Sequence, residues 1–181
     1  MDHLVRRHYL HRWPGVVVCT LALINLQPRA IGCIVFALPP RETMKRYGVP
    51  LCWELARLFI EDETPRNAET WFMCRAIHWV RKNRPDVGCL VSYADPSVGH
   101  RGIIYQAGNW IPDGRTDEER KTPRFDYEDP ITGKHFSRRS HVPDGVVPKR
   151  VARISKFRYV YWLDGSQEKR RQAALHAKVA I

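Results

Sequence analysis

Apolar and polar positions along this chain follow first a period near two and then a period near 3.6, and the switches between them mark out the elements. Gly15–Asn25 is rich in Val, Leu and Ile and is bounded by Pro14-Gly15 and Gln27-Pro28-Arg29, which predicts a strand entering a turn. Ala30–Leu38 predicts its hairpin partner, ended by Pro39-Pro40, and Arg41–Pro50 reads as a polar connection. Leu51–Glu61 is a third strand, with Leu55, Phe59 and Ile60 interleaved with Glu54 and Arg57. Pro65-Arg66-Asn67 then signals a helix start with Asn67 as its cap. Trp71, Phe72, Cys74, Ala76, Ile77, Trp79 and Val80 continue at near-helical spacing to Lys82-Asn83. Cys89–Tyr93 is short and apolar, as a central buried strand is, and Gly99–Gly108 predicts a short helix. Arg115–Arg153 is polar, basic and holds four prolines, which predicts a long, weakly structured connection. Ile154–Leu163 predicts a last strand and Gln167–Ile181 a basic helix.

This order of elements predicts an α/β (α+β) domain over residues 1–181, a central mixed, twisted sheet flanked by helices. A chain of 181 residues is long enough to bury roughly 70% of its unfolded surface in one core. Hydrophobic residues at 44% and charged residues at 27% are ordinary globular values, which argues against disorder. The sign of the charge is not ordinary. Thirty Lys+Arg against nineteen Asp+Glu leave a formal +11, which favours a polyanionic partner, nucleic acid first, over an anionic membrane or an acidic protein.

Cys19, Cys33, Cys52, Cys74 and Cys89 are odd in number, form no C-x-x-C pair and lie in apolar runs, so they predict buried, reduced core residues and a cytoplasmic setting. The apolar run after Arg6, Arg7 and Arg12 lacks signal-peptide cleavage chemistry, and no stretch reaches the roughly eighteen apolar residues of a membrane span.

Candidate chemistry gathers where the fourth strand runs into the short helix, in Ser92-Tyr93-Ala94-Asp95-Pro96 and Gly99-His100-Arg101-Gly102-Ile103-Ile104-Tyr105. Tyr105 has the proton that a leaving thiolate needs, and it also reads as a core aromatic. Asp95 reads either as a site carboxylate or as a turn cap. The helix start at Pro65–Thr70 offers unpaired N–H groups to a pyrophosphate, although it lacks a glycine-rich loop and also reads as an ordinary capped helix. Near the N-terminus, His3, His8, Tyr9 and His11 surround Arg6, Arg7 and Arg12; they read as a basic-aromatic surface more readily than as metal ligands. Trp13, Trp53, Trp110, Phe125 and Tyr127 are candidates to stack on a base turned out of a duplex.

The strand, the short helix with its Tyr and the Asn109-Trp110 turn are similar to the ending of GNAT-superfamily acyltransferases. The chain as a whole resembles the phage Mom family of DNA adenine-modification proteins, which are GNAT-like in fold. The resemblance runs from His8-Tyr9-Leu10-His11-Arg12-Trp13-Pro14 through Glu54–Ile60 and Asn67–Trp71 to Ser92–Pro96 and Gly99–Trp110, and covers about the first 114 residues.

It implies two splayed central strands and conversion of adenine N6 in duplex DNA to a carbamoylmethyl (acetamido) derivative, a mark that shields the DNA from host restriction. It further implies that His8, Tyr9 and Asp95 serve iron(II) binding and activity, and that Arg57, Thr70 and Tyr105 serve acetyl-CoA; the family often has Ser where this chain has Thr70. Arg66 and Asn67 join the cofactor group as the helix opening. Arg6, Arg7, Arg12, Lys134, Arg138, Arg139, Lys149 and Arg150 are the expected DNA contacts. The expected setting is the cytoplasm of a bacterial host, for a phage- or prophage-encoded protein that can form a homodimer. Two other readings stay open: a conventional GNAT N-acetyltransferase acting on protein or small amines, and a non-catalytic basic DNA-binding module.

Overall fold

The computed structural model describes residues 7–8, 13–136 and 141–179. Two antiparallel strands, β1 (Val17–Ile24) and β2 (Ala30–Ala37), form the expected hairpin, and β3 (Cys52–Ile60) pairs antiparallel with β2. Helix α2 (Ala68–Asn83) crosses over to β4 (Cys89–Ala94), which lies parallel to β3. A 3-10 turn (Pro96–Val98) and the short α3 (Ile103–Ala107) lead to β5 (Ile111–Arg115). The strand β9 (Phe157–Trp162) inserts between β4 and β5, antiparallel to both, giving a six-stranded sheet of order β1-β2-β3-β4-β9-β5.

Both faces of this sheet carry apolar clusters, because the central strands are apolar at most positions on either side. On β4, Leu90 faces one way with Phe72, Met73, Ala76, Ile77 and Val80 of α2, and with Trp53, Tyr105 and Trp110. Cys89 and Val91 face the other way with Cys52, Val160 and Trp162. Half-buried Met44 and Tyr47 of α1 (Arg41–Tyr47) and Ala174 of α4 (Gln167–Val179) cover that second face. Each large apolar side chain on the buried face of α2 contributes roughly 1.5–3 kcal/mol. Its last turn carries Arg81 and Lys82, which complement the helix dipole. Among the described residues no helix is long and apolar enough to cross a membrane.

The parallel pair opens into a fork. Three rungs join β3 to β4, Cys52–Cys89, Trp53–Leu90 and Glu54–Val91, and the strands then part. Directly after the last rung the β2–β3 register slips so that Ala56 is an extra residue, a β-bulge that bends β3 and increases its twist. These are the splayed central strands that the GNAT resemblance implies.

Several elements depart from the sequence expectation. Arg41–Pro50 contains the helix α1 instead of a plain polar connection. No residue of α1 is fully buried, so it has no apolar stripe to announce it, and polar anchoring holds it: Arg46 Nε and the Tyr47 hydroxyl donate to Asp113 at 3.1 and 2.8 Å. Within Gly99–Gly108 only Ile103–Ala107 is helical, because Gly99, which ends the 3-10 turn, and Gly102, which precedes α3, both have left-handed backbones, φ 78° and 75°. Arg115–Arg153 is not irregular throughout: β6 (Phe125–Glu128), β7 (His135–Phe136) and β8 (Lys149–Ala152) form a second, three-stranded sheet of order β7-β6-β8. Its strands have two to four residues and much charge, so no alternation is long enough to read. Asn67 does precede α2, but with φ 67° and no side-chain cap bond. The five cysteines are free; Cys33, Cys52 and Cys89 are buried, Cys19 is half-buried and Cys74 is exposed.

Gly102 is doubly constrained, since a methyl group there would fall into the Tyr159 ring as well as straining the backbone. Gly102→Ala is expected to destabilise the protein by about 2–4 kcal/mol. Denaturant unfolding checks this, and an unchanged midpoint would show that Tyr159 yields without penalty.

Candidate active site

The fork leaves a cleft of about 380 Å³ whose walls come from both parted strands and from the segment leading into α3. Glu54 and Arg57 of β3, Tyr93 of β4, Tyr105 of α3, Lys156 before β9 and His8 all line it.

Ser92 bridges the fork at its base. Its Oγ lies 2.8 Å from the Leu55 carbonyl oxygen on β3 and 2.8 Å from the Tyr105 hydroxyl, so one side chain ties β4 to β3 and to α3 where the ladder has ended. The Tyr105 ring is buried between Trp110 and Tyr159, at centroid distances of 5.3 and 5.1 Å. Tyr159 is itself fixed, because its hydroxyl donates to the Arg101 carbonyl at 2.7 Å. The ring is core, and Tyr105 is also among the residues that line the cleft.

Asp95 ends β4 as the expected turn cap, accepting from Ser97 N at 3.0 Å and Ser97 Oγ at 2.5 Å through Oδ1. Its Oδ2 pairs with Lys156 Nζ at 2.8 Å. Burial pushes the Asp95 carboxyl up, but the Lys156 ammonium and the Ser97 donors outweigh it and hold the group below the ordinary carboxylate range. Lys156 is placed by its backbone, which exchanges hydrogen bonds with Thr116 through Lys156 N to Thr116 Oγ1 and Thr116 N to Lys156 O, both at 2.9 Å. Arg57 is buried, with Nη1 donating to the carbonyl of the bulged Ala56 at 2.6 Å. Glu54 behaves differently from Asp95. Burial raises its pKa, and the attraction of Arg57 and Lys156 offsets this only in part.

Glu54, Ser92 and Lys156 escaped the sequence reading as site residues. A charge within an apolar strand was the only mark of Glu54. Ser92 looked like one small residue in a buried run, and Lys156 one of many basic residues.

The structure brings Arg57, Tyr105 and His8 to one cleft, with Asp95 joined to it through Lys156. The opening turn of α2 reaches the cleft through Glu69, whereas Arg66 and Asn67 are exposed beside it and Thr70 is half-buried. Tyr9, Arg6, Arg12, Arg138 and Arg139 lie outside the described residues.

Among the described residues no group of three His, Cys, Asp or Glu side chains converges as metal ligands. Both Asp95 oxygens are engaged by Ser97 and Lys156. Tyr9, one of the three iron(II) ligands that the resemblance implies, lies outside the described residues.

Of the expected DNA contacts, Arg7 is drawn into the protein's own charge network, pairing with Glu61 at 3.1 Å and lying over Phe59. Lys134, Lys149 and Arg150 gather on the small sheet, with the Arg150 guanidinium 3.6 Å above the Phe125 ring and Lys134 over Phe136. Trp53 and Trp110 are core residues and cannot stack on a base, while Trp13 is exposed and Phe125 and Tyr127 are half-buried.

A model of the Mom protein family matches residues 1–178. The methylcarbamoylase mom of Escherichia phage Mu is 37% identical over 57 residues, 32% of this chain and 24% of the phage protein, so the aligned stretch spans about a quarter of that relative. Among solved structures, the chain is similar to one in the NatC complex bound to Gag peptide and CoA, at 13% identity and TM-score 0.44, covering 78% of this chain and 69% of that one. It is also similar to Tetrahymena GCN5, at 19% identity and TM-score 0.35, covering 74% of this chain and 66%, just under two thirds, of that one. With the family match running over nearly its whole length, the chain belongs to the Mom protein family.

Proposed function

We propose that the fork is the active centre of a DNA-modifying transferase that binds acetyl-CoA and acts on adenine N6 in duplex DNA, leaving a carbamoylmethyl group that protects the DNA from restriction. The observation that carries this reading is the cleft itself. It sits where β3 and β4 part, has a buried tyrosine hydroxyl at its base and has a cationic wall, in a chain of the Mom family.

The parted strands fit acetyl-CoA. Beyond Glu54, β3 no longer pairs with β4, so its backbone can meet the amides of a pantetheine arm, and Arg57 and the opening of α2 supply positive charge and N–H groups for phosphates. When bound, acetyl-CoA brings an activated two-carbon unit. Tyr105 is placed to donate its phenolic proton to a departing sulfur, with Ser92 and the flanking rings fixing the hydroxyl.

The acceptor is an uncharged amine. Arg57, Arg101 and Lys156 line the cleft together with Glu54 and Glu69, and the excess of Lys and Arg over Asp and Glu in the whole chain attracts a polyanion carrying a neutral exocyclic amine. Reaching a base inside a duplex requires turning it out of the stack, and of the candidate stacking residues Trp13 is exposed and Phe125 and Tyr127 are half-buried. Direct acetyl transfer would leave an amide at N6, whereas the carbamoylmethyl product joins through a CH2 carbon and carries an added nitrogen. Replacing a C–H bond of the acetyl methyl by a C–N bond to N6 is a two-electron oxidation, so an oxidant as well as the nitrogen donor comes from outside the residues described.

Nucleoside mass spectrometry of plasmid DNA from bacteria expressing the protein tests the reading. A carbamoylmethyl-adenosine mass is expected, and Tyr105→Phe is expected to lower its yield by about 10²-fold or more without unfolding the protein. An acetyl mass on a protein or small amine would support a conventional acetyltransferase instead. Protection that disappears once protein is stripped from unmodified DNA would support a binding module. The logarithm of DNA affinity should fall linearly with log salt, and Lys149→Ala with Arg150→Ala should reduce the slope by about 0.9 for each phosphate that is no longer neutralised. An unchanged slope would remove the small sheet from the DNA contacts.

A further inference from the structure

Glu54 occupies the last rung of the ladder shared by β3 and β4, opposite Val91, and lines the cleft with Tyr93, Tyr105 and Lys156. It is half-buried, yet among the described residues it makes no hydrogen bond or ion pair. The cations near it are directed elsewhere: Lys156 Nζ to Asp95 at 2.8 Å, and Arg57 Nη1 to the Ala56 carbonyl at 2.6 Å.

A carboxyl withdrawn from water without a donor is unfavourable, so an occupant of this wall gains by bringing one. The thioester end of acetyl-CoA brings none, since its carbonyl and sulfur only accept. An exocyclic amine brings two N–H donors. A base with a carbonyl at the same place sets one oxygen against another, and a site built to pair a donor rejects the analogue that lacks it.

We propose that Glu54 selects the acceptor base, its carboxyl accepting a hydrogen bond from the exocyclic N6–H of an adenine turned out of the duplex into the cleft. This rests on the reading of the cleft as a DNA adenine site. Glu54 thereby admits amine-bearing bases and excludes those with a carbonyl at the corresponding position.

Equilibrium binding by fluorescence anisotropy tests this without turnover. The probes are duplex oligonucleotides with one central adenine, purine or hypoxanthine, each opposite an abasic site so that pairing strength does not differ among them. The parent is expected to bind adenine about tenfold more tightly than hypoxanthine, roughly the worth of one hydrogen bond.

Glu54→Ala should abolish that preference while keeping salt-dependent duplex binding. Glu54→Gln, nearly the same size, should recover hypoxanthine binding because its amide can turn an N–H toward the carbonyl. Circular dichroism and acetyl-CoA binding establish that each variant is folded. Full discrimination by Glu54→Ala or Glu54→Gln, or none by the parent, would overturn the assignment. Failure of the parent to bind any duplex at low salt would overturn the DNA reading itself.

Discussion

The arrangement of this molecule depends on one interruption in a hydrogen-bond ladder. Parallel strands in a buried sheet normally continue pairing, because backbone N–H and C=O groups left without partners are unfavourable. Here β3 and β4 share three rungs and part where Ala56 adds an extra residue to β3. The bulge alone would leave the base of the gap loose. Ser92 closes it from the β4 side by meeting both the Leu55 carbonyl and the Tyr105 hydroxyl, so one side chain ties the parted strands together and holds the tyrosine. Packing then holds this geometry, with α2 beneath one face and Trp110 and Tyr159 against the Tyr105 ring.

The electrostatics of the cleft follow from which charges find partners. Asp95 is neutralised by Lys156 and by the Ser97 donors, and its proton is held off accordingly. Glu54 is a similar carboxyl nearby with burial but no direct partner among the described residues, and its proton affinity moves the other way. Two acids on neighbouring strands thus acquire different characters from their surroundings. Asp95 is at once a turn cap and an ion-pair partner. Away from the cleft, Glu61 is bound by Arg7 and Arg29 and Asp113 by Arg46, Tyr47 and Arg158, so part of the large positive charge serves internal ties rather than a partner.

Much of the fold was legible in the sequence. The hairpin, the third strand, α2, β4 and β9 were readable because their apolar periods persist for many residues or are fenced by Pro and Gly. The elements that were not readable share a physical cause: each is short and lacks a buried apolar face of its own. Helix α1 is anchored by polar contacts 66 and 67 positions away in the chain, and β6 to β8 have at most four residues each. Tyr105 and Asp95 were recognisable as candidates because they flank a strand-to-helix junction, but whether each was core, cap or site depended on neighbours that spacing does not specify.

The sequence by itself determined the kind of protein this is, through the order of periodic segments, the cationic excess and the motifs of the Mom family. Those are properties of residue type and local spacing, and they survive without coordinates. Only the tertiary structure decided which residues meet. Whether Glu54 has a partner, whether Lys156 reaches Asp95 and whether Ser92 spans the fork all depend on contacts between strands far apart in the chain. A one-residue slip at Ala56 reverses which face of β3 each following side chain takes, and only the paired strands reveal that slip.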